Sequence, residues 1–442
     1  MLSASQQREF AARRNALLKH VGARGVVVVP AAHEVTRSRD THFPFRQDSD
    51  FTYLTGFPEP EAIAVLAPGR KEGGYVLFVR PRNAEREIWD GRRAGPEGAV
   101  RDFGADEAFS IDEFPARLPA LLAGREVVHY TLGEHPAMDP QITAAMRHIR
   151  EVSRRGGSAP TTVVALEPSL HEMRLHKRPA ELRTLRQACR ISAEAHVRAM
   201  QATRPGRNEW EIAAVIHNHF ADHHMVPGYS SIVGGGDNAC ILHYTENNQT
   251  LRDGDLLLID AGGELDGYTA DITRTFPVNG RFSAPQRALY EVVLAANLAA
   301  IKTLRPGTST GRPHAVATRI LTAGLVRLGL LKGDVDALIK AGKHRQFYMH
   351  GTGHWLGLDV HDVGRYKLDG RDRKFAPGMV MTIEPGLYVA PGTPGVDPAY
   401  HGIGIRIEDD VLVTPDGPEV LTDGVPKSIE AIEALMAAAR DA

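Results

Sequence analysis

The chain is short of several features that would assign a class at once, and each shortage excludes something. Cysteine is nearly absent: only Cys189 and Cys240 occur in 442 residues. Two cysteines cannot build a disulfide framework or a cysteine-rich structural zinc site, and they suit a reducing, cytoplasmic setting. Both are expected to be small core residues. An excess of one charge is also missing. With a net charge of −2, no electrostatic drive toward nucleic acid or an acidic membrane is expected. No run approaches the ~20 apolar residues of a membrane span. The opening MLSASQQREFAARR carries charge but lacks the apolar core of a signal peptide. Neither nucleic acid nor a membrane is therefore expected as a partner. What is present is ordinary for a soluble globular protein, with 43% apolar and 24% charged residues. The length exceeds one core and predicts two domains.

The first part reads as an α/β domain. Apolar runs at residues 25–30, 62–68, 74–80 and 126–133 predict buried strands, and residues 115–124 predict a short helix. A Gly/Ser/Pro patch at residues 154–162 reads as a linker. The expected domains are an N-terminal α/β domain at 1–170 and a second domain at 171–442. The second contains a weak internal repeat. A long amphipathic helix from Pro179 stops at Arg204-Pro205-Gly206, and another starts at Asn208. Later a helix opens at Ser283, runs to Leu304, stops at Arg305-Pro306-Gly307, and is followed by another to about Leu328. Strands follow each helix pair. Two such halves closing on each other form an α+β domain with a pseudo-twofold repeat, whose centre collects residues from both halves.

Those residues are of one chemical kind. DLLLIDAGGELDGYTADITRTF, residues 255–276, holds two apolar runs joined through Asp266-Gly267, a hairpin signal. With the turn centred on Leu265-Asp266, Asp260 lies opposite Asp271; a bulge would alter that register. Carboxylates so placed repel each other unless a cation sits between them. Downstream, HGTGHWLGLDVHD (residues 350–362) sets His350, His354 and His361 among glycines. Glu384 interrupts an apolar strand just before Pro385-Gly386, and Ile403, Ile405 and Ile407 alternate with Gly404, Arg406 and Glu408. A solvated strand end or a salt bridge is the ordinary alternative for each acid. Together an Asp/Asp/His/Glu/Glu set is oxygen-rich with a single imidazole. It can hold two divalent cations if two carboxylates bridge them, with Mn²⁺ expected and Co²⁺ or Zn²⁺ as alternatives. A second cluster, HNHFADHH at residues 217–224, has His219 and His223 at the i, i+4 spacing of a helical metal pair. Ile212, Val215, Ile216 and Phe220 define that helix's core face, so its histidines are expected on a solvated face.

The segments carrying the acids and histidines resemble those of the pita-bread metallopeptidases, the family of methionine aminopeptidase, prolidase and aminopeptidase P. Within it they are most similar to the aminopeptidase P branch. The likeness extends to residues 46–62 (RQDSDFTYLTGFPEPEA), 87–95 (EIWDGRRAG) and 232–247 (IVGGGDNACILHYTEN). It implies that Asp260, Asp271, His354, Glu384 and Glu408 are metal ligands, with Asp271 and Glu408 bridging the two ions. It implies hydrolysis of the N-terminal Xaa-Pro bond of peptides with proline second, by a hydroxide shared between the ions and with Glu384 as general base. His361 would donate to the oxyanion or the scissile carbonyl. His243 would place the substrate and shuttle a proton, and His350 would line the pocket beyond the cut; structural hydrogen bonding is the alternative for all three. Arg406 would pair with a ligand carboxylate or bind substrate, and Tyr388 would support the same site. Tyr229 and Trp89 would make apolar substrate contacts. Trp89 would reach in from a neighbouring N-terminal domain of a homo-oligomer, dimer or tetramer, so that domain would serve oligomerisation and substrate access.

Prolidase shares the five ligands and is the nearest alternative, although the segment ending TGFPEPEA favours aminopeptidase P. The long N-terminal part disfavours methionine aminopeptidase, and the complete ligand set disfavours the metal-free creatinase. A non-catalytic binding protein on the same scaffold is the more distant alternative.

Overall fold

Valine-rich runs bounded by turns build the first half. A computed structural model describes residues 1–152 and 158–441. In it Gly25–Pro30, buried at every position, is an inner strand of a six-stranded mixed sheet. It pairs antiparallel with Ile63–Leu66 and parallel with Val127–His129. Tyr75–Val79 and Glu107–Ser110 extend the sheet on one side. A strand covered on both faces needs apolar residues at successive positions, which is why these runs do not alternate. Phe114–Leu122 and Asp139–Val152 are the helices whose Leu118 and Ile142 close the core over Val26, Val28, Val65 and Phe78.

The patch at 154–162 does not end this sheet. Residues 154–157 lie outside the described residues, but Thr162–Val164 pairs parallel with Val127–His129 as a further strand. Its short, half-exposed run carried no signal strong enough to be read as a strand. The chain divides into two compact units, Met1–Arg174 and Leu175–Ala442.

The second unit shows the repeat in three dimensions. Helices Pro179–Ala202 and Glu209–Asp222 form the first pair, and Ala284–Ile301 and Arg312–Arg327 the second. Capping boxes at Asn208/Glu211 and Ser283/Gln286 satisfy the first backbone N–H groups of the second and third of these. Each pair turns through a glycine in the left-handed region, Gly206 at φ 87° and Gly307 at φ 85°, so the two Arg-Pro-Gly stops are conformational equivalents. Each pair is followed by a three-stranded antiparallel sheet. Leu256–Asp260 is the middle strand of the first, between Ile232–Gly235 and Thr273–Pro277. Asp409–Thr414 is the middle strand of the second, between Val380–Ile383 and Gly417–Val420. Cys189 is buried and Cys240 only half-buried, and both are free thiols. Among the described residues no helix is long and apolar enough to cross a membrane.

Candidate metal centre and active site

The first two acids are set by one turn. Asp266 and Gly267 have φ 49° and 85°, the doubly positive backbone of a type I′ hairpin. Leu265 pairs with Tyr268 and Glu264 with Thr269, and the same register reaches Asp260 opposite Thr273. The turn expected at Leu265-Asp266 is therefore one residue further on, and Asp260 does not face Asp271. Leucine resists a left-handed backbone, whereas Asp-Gly accepts it. Asp271 precedes Thr273 by two residues, so the two carboxylates converge diagonally. The Tyr229 hydroxyl joins them, 2.7 Å from Asp260 Oδ1 and 2.6 Å from Asp271 Oδ1. A phenol has one proton to donate, so one of these short O···O contacts needs a further positive charge to offset it.

The other two acids meet at a break in a ribbon. Ile383 pairs with Asp409 and Gly386 with Arg406, a single register on both sides of a gap in which Glu384 faces Glu408. The runs expected as continuous strands are interrupted there. Pro385 has no N–H to give the ladder. The freed amides go elsewhere, Glu384 N–H to the Thr352 carbonyl (2.8 Å) and Glu408 N–H to the Thr273 carbonyl (3.0 Å). His354 is admitted beside them because Gly353 has no Cβ; one would run into the Thr382 carbonyl. His354 Nδ1 donates to the Trp355 carbonyl at 2.9 Å. That leaves Nε2 directed at Asp271 Oδ2 (3.3 Å) and Glu384 Oε1 (3.8 Å).

The electrostatics ask for cations. Burial raises the Asp260 pKa; Arg406 opposes this and Asp271 adds to it. Glu384 is pushed up to about 7 by burial, with Asp271 and Asp260 reinforcing it against His354 and Arg406. Burial, then Asp271, Glu384 and Asp260, hold Glu408 well above the carboxylate range. Burial alone would depress His354, but the Asp271 and Glu384 carboxylates outweigh it and raise the imidazole to about 9. Four crowded carboxylates thus compete for positive charge, as a divalent-cation site does. Asp271, His354 and Glu408 each bring one donor atom to within 4.8 Å of the others. The residues present fit divalent metal ions. All five donors line one cavity of about 410 Å³ together with His243, His350, His361 and Arg406.

Arg406 is buried and organises one wall. Its Nη2 donates to Asp260 Oδ2 (2.6 Å), its Nε to Thr273 Oγ1 (3.1 Å) and its Nη1 to the Tyr388 hydroxyl (3.0 Å). His350 Nδ1 donates to the Gly351 carbonyl (2.7 Å), so its Nε2 must accept from Tyr388 at 2.8 Å. Burial and the Arg406 charge push His350 down to about 4, which keeps this imidazole neutral. The His361 ring packs edge-on to His354 with centroids 4.4 Å apart, and burial followed by His354 lowers its pKa. His243 is exposed at the cavity wall.

Two aromatic expectations fare differently. Tyr229 turns its hydroxyl to the carboxylates instead of offering an apolar face, because the buried acids need a donor there. Trp89 lies in the N-terminal unit on helix Ala84–Asp90 and is 83% exposed. The supports behind the candidate ligands are residues that the sequence reading did not single out. Asp410 accepts the Asp271 N–H (3.0 Å) and the Cys189 thiol (3.3 Å). Thr273 donates to Glu408 Oε2 at 2.5 Å. Arg274, fully buried, holds the Glu408 carbonyl (2.5 Å) and the Asp409 carboxylate (2.8 Å). The place of Thr273 after Asp271 in ADITRT was a usable signal; Asp410 and Arg274 had none, since their partners are remote in sequence.

Comparison with known proteins places this geometry. Residues 183–415 match the model of metallopeptidase family M24, and residues 10–129 match that of the aminopeptidase P N-terminal domain. The chain is 49% identical to the Xaa-Pro aminopeptidase of Escherichia coli K12 over 441 residues, 99% of this chain and 100% of that protein. It is 35% identical to Xaa-Pro aminopeptidase 3 of Rattus norvegicus, over 97% of this chain and 85% of that protein. Among solved structures, Pseudomonas aeruginosa aminopeptidase PepP superposes with a TM-score of 0.97 at 51% identity, covering 99% of both chains. Zinc-substituted E. coli aminopeptidase P in complex with product gives 0.95 at 49% identity, covering 98% of this chain and 99% of that one.

Proposed function

The chain belongs to metallopeptidase family M24, and from that premise we propose that it removes the N-terminal residue from peptides whose second residue is proline. It is a hydrolase of the Xaa-Pro aminopeptidase type, with divalent metal ions as cofactors. The observation that carries the finer reading is the convergence of Asp260, Asp271, His354, Glu384 and Glu408 on one cavity with three histidines. In this reading Asp260, Asp271, His354, Glu384 and Glu408 would hold two divalent ions, preferably Mn²⁺, with Asp271 and Glu408 as the carboxylates shared between them. Bound there, the ions supply Lewis acidity and lower the pKa of the attacking water.

The chain's own groups then handle position and protons. Glu384 takes a proton from the water as its oxygen attacks the scissile carbonyl carbon, and passes it to the proline nitrogen as the C–N bond breaks. His361 donates to the developing oxyanion. His243 steadies the substrate and relays a proton. His350, kept neutral and oriented by Tyr388, walls the side beyond the cut. Arg406 holds Asp260 in place. Trp89, exposed on its own unit, is offered to a neighbouring copy, so a homo-oligomer belongs to the proposal. A cytoplasmic location is also proposed, in keeping with two free thiols.

Product analysis tests the reading. Chelator-stripped, Mn²⁺-reconstituted protein is offered Arg-Pro-Pro and Gly-Pro side by side. Release of arginine with little attack on Gly-Pro is the expected result. Cleavage confined to Gly-Pro would make the protein a prolidase, and no cleavage of either with metal bound would leave only a binding scaffold.

A further inference from the structure

In the histidine run at residues 217–224, His217 and His224 are exposed as expected but His219 is not, and the peptidase chemistry does not use the run. His219 is 2% exposed on helix Glu209–Asp222, buried where that helix lies against Pro179–Ala202, and His223 caps the same helix. Neither ring nitrogen of His219 has a hydrogen-bond partner, a state that buried polar groups rarely hold without an ion or water to satisfy them. Helix Pro179–Ala202 brings Glu194 Oε2 to 3.4 Å from His219 Nε2. The two imidazole rings have centroids 4.5 Å apart. His223 Nδ1 lies 2.9 Å from the His219 carbonyl; a carbonyl only accepts, so this nitrogen carries the proton and Nε2 keeps its lone pair. One donor atom from each of the three residues falls within 4.8 Å of the others. Arg190 donates to the other Glu194 oxygen at 2.5 Å, and Oε2 is the oxygen on the His219 side. Burial, followed by the Arg198 and His223 charges, lowers the His219 pKa against the Glu194 carboxylate, which raises it.

We propose that Glu194, His219 and His223 form a second divalent-metal site, distinct from the peptidase centre, that takes a borderline cation such as Zn²⁺. Two imidazoles and one carboxylate favour Zn²⁺ over the hard, all-oxygen cations Mg²⁺ and Ca²⁺, and three protein donors leave a fourth position for water. The ion clamps the first helix pair. Ser192 and His196 of helix Pro179–Ala202 hold the Gly263 N–H (3.0 Å) and the Ala261 carbonyl (2.8 Å), so the clamp stiffens the platform under the Asp260–Asp271 hairpin.

Zinc can also replace ions at the peptidase centre, so the test reads position as well as amount. Mn²⁺-loaded protein is equilibrated with Zn²⁺, and zinc is located by anomalous scattering at its absorption edge and counted per chain. The expected result is a zinc peak between the three side chains. His223→Ala and Glu194→Gln should each hold one equivalent less than the native protein, with aminopeptidase activity of the Mn²⁺ form unchanged. His217→Ala, a control in which an exposed neighbour is removed, should keep the native count. No peak at the cluster in saturating Zn²⁺, or equal counts in the native protein and both cluster variants, overturns the proposal.

Discussion

Glu384 faces Glu408 across a gap in one antiparallel ribbon, with Ile383 paired to Asp409 on one side and Gly386 to Arg406 on the other. Like charges directly opposed on a sheet are unfavourable, and here both are buried as well. The arrangement suits a cation between the two carboxylates, and its consequences can be measured.

Glu384→Gln keeps the volume and one oxygen donor but cannot take a proton. Turnover of Arg-Pro-Pro should fall by about 10²–10⁴-fold, the usual worth of a general base. Metal content by atomic emission should change little. Native turnover in this variant would remove Glu384 from the proton path.

Tyr229→Phe deletes the hydroxyl that Asp260 and Asp271 share. The fold should survive, since the ring is kept. Metal affinity should weaken roughly 10–100-fold, as it does when a group that orients ligands is lost. Competition with a chromophoric chelator measures it, and unaltered affinity would make the hydroxyl incidental.

Arg406→Gln leaves Asp260 without its guanidinium and Tyr388 without a donor. Breaking a buried ion pair costs roughly 3–5 kcal/mol. Urea unfolding should show that loss in chelator-treated protein and a smaller one with metal bound, because cations also neutralise Asp260. An equal loss in both forms would contradict the link between Arg406 and the metal centre.

Gly353→Ala puts a Cβ against the Thr382 carbonyl. The backbone must move, and His354 moves with it. Far-ultraviolet circular dichroism should stay native while metal stoichiometry drops. Full metal loading would show that the loop tolerates the displacement.

In the N-terminal unit, Asp50 accepts from His171 (3.0 Å) and Arg174 (2.7 Å). Burial would raise its pKa, but the His171 hydrogen bond and the Arg174 charge outweigh burial and lower it. A depressed folded-state pKa stabilises above the ordinary carboxylate value and loses that contribution as pH falls through the folded one. Asp50→Asn should therefore lower the melting temperature at pH 7, and the gap from native should close below about pH 4. A gap independent of pH would mean that packing, not charge, sets the effect.

The helix pairs with their Arg-Pro-Gly stops and the buried valine strands could be read from the chain because each rests on local chemistry; the five candidate donors stood out by residue type and by resemblance. Caps, left-handed turns and apolar periodicity act within a few residues of themselves. Asp266-Gly267 also announced its hairpin, yet the placement of φ > 0 residues moved the register by two and turned an opposed pair of aspartates into a diagonal one. Local pattern likewise put His219 at the surface; packing of Pro179–Ala202 against its helix buried it. Asp410 beneath Asp271, Arg274 beneath Glu408 and Arg406 beside Asp260 join residues more than a hundred positions apart. The candidate donors are thus legible in the sequence. Their spacing, their shared burial and the charge they present to a cation follow only from closing the two halves, because desolvation and Coulomb repulsion depend on distance in space and not along the chain.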